Sequence, residues 1–177
     1  MRRICQGDSQ AFAELTHRHG LLFYRVAYRI VGQRDDAEDV VQAAFLKLWE
    51  NPTAWKPDRN AQFTTWFYRV VTNQALGQVR QRTKGDDSAL DALPDTRPTA
   101  EDRHADHDRH RALSAALDTL TRAQRSALVL CVYEGMTNQQ AADVMGIRLK
   151  ALQALLVRAK QRLRRHVHDG EGKGYGT

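Results

Sequence analysis

Cysteine is nearly absent from this chain of 177 residues: there are two, Cys5 and Cys131, far apart in sequence. That excludes a disulfide scaffold and fits a reducing compartment. No apolar run approaches the roughly 18 residues that a membrane span needs. The opening stretch MRRICQGDSQ carries two arginines but no apolar core, so no signal peptide is expected and a cytoplasmic location is. A Gly-rich phosphate loop, a nucleophile elbow and a plausible catalytic triad are all missing, and with them any reason to expect an enzyme. Aromatics make up only 7%. That is thin for one core of this length and more natural for two small ones, which the length also allows.

What the chain does have is basic charge, and it is unevenly placed. The formal net charge is +6, from 27 Lys and Arg against 21 Asp and Glu. Residues 1–84 hold 13 basic and 8 acidic side chains, a net of +5. Residues 85–110 hold 3 basic and 8 acidic, a net of −5, and residues 111–177 hold 11 basic and 5 acidic, a net of +6. Two basic blocks therefore flank an acidic segment, which also carries two of the four prolines, Pro94 and Pro98. Self-repelling charge with little apolar content reads as an extended, flexible linker. Thr99, with Asp102 three residues on, resembles a capping box that would open a helix late in that segment.

Both blocks read as helical, and no strand pattern of useful length appears. In the first, Asp8 and Ser9 offer N-caps, and Phe12, Leu15, Leu22, Phe23, Val26, Ala27 and Ile30 follow at helical spacing. Gly20 predicts a break or kink, and Gly32 an end. From about Asp35 to Glu50, Ala37, Val40, Val41, Ala44, Phe45, Leu48 and Trp49 form an unbroken apolar stripe. A further helix starts near Phe63, buries Phe63, Trp66, Phe67, Val70 and Val71, and continues through Arg80. In the second block a helix carries Leu113, Ala116, Leu117 and Leu120, and another runs from Arg122 to Glu134. Thr137 then caps a short helix with Ala141, Ala142 and Met145, Gly146 turns the chain, and a longer helix starts at about Leu149. That last helix offers Leu152, Leu156, Ala159, Leu163 and Val167 to a core. Short helix, glycine turn and longer helix outline a helix-turn-helix. The fold class expected is all-α: two small helical domains, residues 1–84 and 111–168, joined by a flexible acidic linker, 85–110, with a Gly-rich disordered tail at 169–177.

Four constellations stand out. Asp35, Asp36, Glu38 and Asp39 give four carboxylates in five residues, with Gln42 one turn on. Acids in a helix's first turn stabilise its dipole, but four exceed what a cap needs; Asp35, Asp39 and Gln42 share the face opposite the apolar stripe and suit a basic protein surface. Along the Phe63 helix, Arg69, Asn73, Arg80 and Lys84 fall near one stripe, with Tyr68 and Thr72 beside it. Rings that stack on bases and cations that track phosphates are what single-stranded DNA requires, although Trp66 and Phe67 could equally belong to the core. Between Arg148 and Arg165 lie seven basic residues and no acidic one: Arg148, Lys150, Arg158, Lys160, Arg162, Arg164 and Arg165. A merely solvated helix mixes signs to gain i, i+4 pairs, so this run points to phosphate. Last, His104, His107 and His110 recur among Asp102, Asp106 and Asp108. Spacing of three drifts around a helix instead of converging as zinc-binding i, i+4 pairs do, so no metal and no cofactor is expected.

RDDAEDVVQAAFLKLWE, then FTTWFYRVVTNQAL, then the acidic stretch, then LTRAQRSALVLCVYEGMTNQQAADVMGI and ALQALLVRAKQRLRR together resemble the extracytoplasmic-function (ECF) sigma factors of bacterial RNA polymerase. The resemblance covers about residues 8–168. It implies two helical domains, sigma domains 2 and 4, which bind core RNA polymerase and direct it to promoter DNA. It implies that Asp35, Asp36, Glu38, Asp39 and Gln42 dock on the polymerase. It assigns the −10 element and opened strand to Trp66, Tyr68, Arg69, Asn73 and Arg80, and the −35 element to Arg125, Arg148, Lys150, Gln153 and Arg158, with Arg125 near the DNA backbone. An anti-sigma factor as a further partner is also implied. The chain departs from the family pattern at Gly77, where an Asp is frequent, and at Arg148 and Gln153-Ala154-Leu155, where a hydroxyl cap and a Lys-Ser-Arg run are usual. A mid-helix glycine predicts a break or kink at Gly77 as well. Two other readings remain: a stand-alone helix-turn-helix regulator, and a sigma-like mimic that titrates an anti-sigma factor without reading DNA.

Overall fold

A computed structural model describes the backbone of residues 1–56, 62–82 and 115–171, and the side chains of these except 78–82 and 167–171. The chain separates into two compact units, the first built on Met1–Arg82 and the second on most of the chain that follows. All regular structure among the described residues is helical.

In the first unit a single turn, α1 (Arg2–Cys5), leads into α2 (Ser9–Val31), α3 (Arg34–Glu50) and, after a 3-10 turn at Pro52–Ala54, α4 (Phe63–Arg82). Asp8 starts α2: its carboxylate accepts from the Ala11 amide at 2.9 Å and from Arg3 Nε at 2.7 Å. The Ala11 amide and then Arg3 hold the Asp8 carboxyl below its usual range. Gly32 ends α2 in the left-handed region at φ 84°, where its amide reaches back to the Tyr28 carbonyl at 2.8 Å. The helices α2, α3 and α4 pack on one another. Their core joins Phe23, Val26, Ala27 and Ile30 to Ala37, Val40, Ala44, Phe45 and Leu48, and to Phe67, Val71 and Ala75.

The two glycines expected to interrupt helices do not. Gly20 lies within the unbroken α2 and Gly77 within the unbroken α4. A glycine costs roughly 1 kcal/mol in a helix interior, and the apolar faces on either side of it outweigh that by burial. A methyl group at Gly20 would meet nothing within 4 Å. Gly20→Ala is therefore expected to raise stability by about 0.5–1 kcal/mol, seen as a higher urea midpoint; a lower one would show that the glycine has a role of its own.

In the second unit, helical residues 115–118 precede α5 (Arg122–Leu128), which widens into a π-helical turn at Val129–Tyr133. The sequence expectation of one regular helix to Glu134 is thus corrected: the Glu134 amide bonds to the Val129 carbonyl at 3.1 Å, one residue wider than an α-helical bond. Thr121 and Gln124 close a capping box at the start of α5. Then come α6 (Asn138–Met145) and α7 (Leu149–Glu171). Thr137 caps α6 as expected, its Oγ1 accepting from the Gln140 amide at 3.2 Å while Gln140 Oε1 accepts from the Thr137 amide at 2.9 Å.

The turn between α6 and α7 is built by Gly146 at φ 67°. The Ile147 amide bonds to the Ala142 carbonyl at 3.0 Å and the Gly146 amide to the Asp143 carbonyl at 3.3 Å, the paired bonds of a Schellman cap. Leu117, Leu120, Leu128 and Ala159 form a core cluster with Leu163 against it. The helix α7 runs to Glu171, past the expected boundary at 168. The acidic segment 85–110, with Thr99, Asp102 and the His104, His107 and His110 set, lies outside the described residues, as does Leu113.

Candidate functional site

Three surfaces carry the chemistry. The first is the outer face of α3. Asp35, Glu38, Asp39 and Gln42 are exposed and Asp36 is half-buried, while Ala37, Val40, Ala44 and Leu48 point inward. The inward stripe forces the carboxylates outward, because the two sets lie on opposite sides of a 3.6-residue turn. The structure corrects the apolar set at two positions, Val41 and Trp49, and exposes a further apolar side chain, Leu46. Val41 is half-buried, Trp49 is 37% exposed, and Leu46, which lay off the stripe, is 53% exposed. These side chains line a groove of about 630 Å³ between α2 and α3. Phe12 and Trp49 meet at 4.9 Å between ring centroids and Phe12 and Phe45 at 6.2 Å, making its floor, with Glu38 and Gln42 on its rim. Sequence reasoning found the carboxylates and placed Phe12 and Trp49 on apolar stripes, but it did not foresee the groove and did not name Leu46. A leucine on the polar side of α3 was the available signal.

The second surface belongs to α4. Arg69 and Asn73 are exposed and Trp66 is half-exposed beside them, its ring 6.0 Å from Phe63 and 5.9 Å from Phe67. These three share one side of the helix. Tyr68 points elsewhere, edge-on to Phe23 at 5.1 Å. Thr72 departs furthest from its expected place beside the stripe: it is fully buried, and its hydroxyl has no hydrogen-bond partner. Phe67 and Val71 are buried as expected, but Phe63, Trp66 and Val70 are only half-buried. The side chain of Arg80 lies outside the described residues. At the start of α4, Phe63 touches the His19 ring at 5.7 Å between centroids.

Burial, and then the neighbouring Arg18 charge, push the His19 imidazole below its ordinary pKa. The folded unit thus favours the neutral ring, and the unfolded chain binds the extra proton. Stability is full above about pH 6.5, the unfolded value, and falls as the pH drops through it toward the folded one. The urea midpoint is expected to be lower at pH 5.5 than at pH 7.5, with a shallower dependence in His19→Gln; an equal dependence in that variant would place the titration elsewhere.

The third surface is α7. Leu152 and Ala159 face the core, with Leu156 and Leu163 half-buried beside them. Of the seven cations, Arg148, Lys150, Arg158, Lys160, Arg164 and Arg165 are exposed. Arg162 turns inward, donating to the Thr119 carbonyl at 3.2 Å and to Gln124 Oε1 at 3.4 Å. Gln153 is exposed. Arg125 does not join this surface: it is 8% exposed, and its guanidinium bonds Asp118 at 3.0 Å. A buried arginine paired with a carboxylate on the preceding helical turn fixes two elements together; its place in the structure is inside the second unit.

Among the described residues no cluster of three or more His, Cys, Asp or Glu could hold a metal ion. None of the described helices is long and apolar enough to cross a membrane.

These surfaces sit on segments with known relatives. Residues 15–85 match Sigma-70 region 2, and residues 110–163 match Sigma-70 region 4. These segments therefore carry the folds of Sigma-70 regions 2 and 4. The chain is 31% identical to the ECF RNA polymerase sigma factor SigE of Mycolicibacterium smegmatis over 172 residues, 94% of this chain and 66% of that protein. It is 31% identical to the ECF RNA polymerase sigma factor SigM of Mycobacterium tuberculosis over 159 residues, 90% of this chain and 78% of that protein. The chain belongs to the ECF sigma factor family. Its fold matches that of the sigma factor RpoE in complex with the anti-sigma factor NepR from Bartonella quintana, at a TM-score of 0.68 and 20% identity, covering 90% of this chain and 98% of that one. Sigma factors are non-catalytic transcription initiation factors.

Proposed function

We propose that this chain binds core RNA polymerase in the cytoplasm and directs it to promoters by contacting −10 and −35 DNA. The observation that carries the reading is the separation of charge among surfaces. One exposed helix face is acidic, with an apolar groove at its side, and suits a basic, amphipathic protein element. Another, on α7, is cationic with no acidic residue between Arg148 and Arg165 and suits phosphates. A protein that joins polymerase to DNA needs both. Asp35, Asp36, Glu38, Asp39 and Gln42 then dock on the polymerase; Trp66, Arg69 and Asn73 meet the −10 element, with Tyr68 braced behind them and Arg80 farther along α4. Arg148, Lys150, Gln153 and Arg158 meet the −35 element, and Arg125 supports them by holding the unit together.

Domains 1–84 and 111–168 act as the two readers and 85–110 as the tether between them. An anti-sigma factor is the natural regulator: RpoE is found in complex with NepR, and CnrH with the cytosolic domain of CnrY. Co-purification with core polymerase tests the reading. Retention on core at low salt, lost progressively as salt rises, is the expected result. Tight, autonomous duplex binding without affinity for core would mark a stand-alone regulator. Binding to an anti-sigma factor without affinity for core would mark a mimic.

A further inference from the structure

A helix in a small bundle needs one apolar stripe to bury itself; α2 and α3 each carry two. Their inner stripes, through Phe23, Val26, Ala27 and Ile30 and through Ala37, Val40, Ala44 and Leu48, meet in the core. On the outer side of α2, His17, Leu21, Tyr24 and Tyr28 follow at steps of four, three and four. On the outer side of α3, Asp35, Asp39, Gln42, Leu46 and Trp49 follow at steps of four, three, four and three. Both have the spacing of a helix–helix seam. At about 100° per residue, Leu21 and Leu46 stand almost diametrically opposite the core. Leu21 is 61% exposed, and with Tyr28, Leu46 and Trp49 it makes up the most exposed large apolar side chains described in the first unit. All four lie on this one face, beside the groove whose α2 wall ends at Tyr24. The proposed polymerase docking uses the α3 stripe and the groove, and it leaves Leu21, Tyr28 and the cations beside them without a role.

The charge on that face is divided between the helices. α2 carries three arginines and one acid; α3 carries five acids, one arginine and one lysine. Arg18 and Arg25, both exposed, border the α2 stripe on the side away from the groove, and Asp35 and Asp39 stand on the α3 stripe. A base-edged helix beside an acid-edged one is complementary to itself. A two-fold axis running along the helices lays α2 of one copy over α3 of the other, cations over carboxylates, with Leu21 closed off from water. Tyrosine, tryptophan and arginine are the residues that dominate association energies, and Tyr24 and Tyr28 are already stacked, 6.2 Å between centroids at 16°.

We propose that this face is also the contact surface of a homodimer of the chain, in which α2 of one copy covers the docking helix α3 of the other and holds it away from polymerase. This rests on the reading of α3 as the polymerase-docking helix. The patch is about 20 Å long and about 20 Å, two helices, wide, at the small end of specific interfaces. The pair is therefore weak, forms in the micromolar range and yields to polymerase, which takes up the same carboxylates. Self-association keeps surplus chain in a form that cannot dock and frees it as the concentration falls.

Sedimentation equilibrium of the full chain tests this. The average mass should rise from that of one chain, 20.1 kDa, toward twice that across the micromolar range. Two double variants then reverse the charges: Arg18→Glu with Arg25→Glu, and Asp35→Lys with Asp39→Lys. All four positions are exposed, so unchanged circular dichroism is expected from both. Each variant alone should associate at least about tenfold more weakly, because like charges now face each other. Mixed in equal amounts, the two should associate again, since every charge pair across the two-fold is restored. Core polymerase should dissolve the wild-type dimer, and the arginine variant should still bind core. A mass of one chain throughout overturns the inference. So does a dimer that both variants keep, a mixture that stays monomeric, an arginine variant that loses the core binding of the wild type, or a dimer that polymerase binds whole. A dimer restored in the mixture, from a chain with no affinity for core, keeps the contact and removes the proposed function.

Discussion

Replacing Phe67 by alanine is expected to destabilise the first unit by about 3–5 kcal/mol, the largest effect of any single change considered. Phe67 is fully buried. Its ring meets Phe23 and Phe45 at 4.7 Å between centroids and Phe63 at 5.2 Å, so one side chain touches aromatic partners from α2, α3 and α4. Truncation removes the transfer free energy of the ring and leaves a cavity that three rigid helices cannot close. A unit of this size has a total stability of only about 5–10 kcal/mol, so most of its margin disappears. Urea denaturation followed by tryptophan fluorescence should show the first transition moving sharply to lower denaturant. A shift worth less than about 1.5 kcal/mol would mean that α4 does not anchor the bundle as described. Because α4 also carries Trp66, Arg69 and Asn73, the same change should disable the proposed −10 surface without removing any residue from it.

Asp39→Arg should weaken binding to core polymerase at least tenfold while leaving the fold intact. Asp39 is exposed on α3 and lies beyond the helix's first turn, so its contribution to folding is within about 0.5 kcal/mol. At a basic docking partner the change replaces an attraction by a repulsion, and like charges juxtaposed across an interface cost several kcal/mol. The deficit should shrink at high salt, which screens exposed charge. Leu46→Asp probes the other half of the same surface. Its loss should persist at high salt, because the groove beside Trp49 and Phe12 would act by burial of apolar area. Equal affinity in both variants would move the docking site away from α3.

The residues that sequence reasoning placed well were those whose signal is local. Thr137 with Gln140, Gly32 after α2 and Gly146 between α6 and α7 each announce a cap or turn through their own backbone chemistry. The acidic face of α3 was legible because the apolar stripe behind it left the carboxylates one direction to point. The misplaced residues were those decided by tertiary packing. Gly20 and Gly77 look like breaks in isolation, yet the flanking apolar faces carry the helices through them. Arg125 and Arg162 read as exposed cations, because charge alone does not reveal that Asp118 and Gln124 lie within reach. Thr72 reads as a surface hydroxyl and is buried. The groove of Phe12, Leu46 and Trp49 forms only when α2 and α3 pack, and no single helix shows it.

The central claim, that the two units together make polymerase promoter-specific, is tested most directly by run-off transcription. Core polymerase, the full chain and a promoter library would be combined, and discrete transcripts compared with those from core alone. The account predicts new start sites that depend on the chain and disappear with Asp39→Arg. Transcripts identical with and without the chain would contradict it.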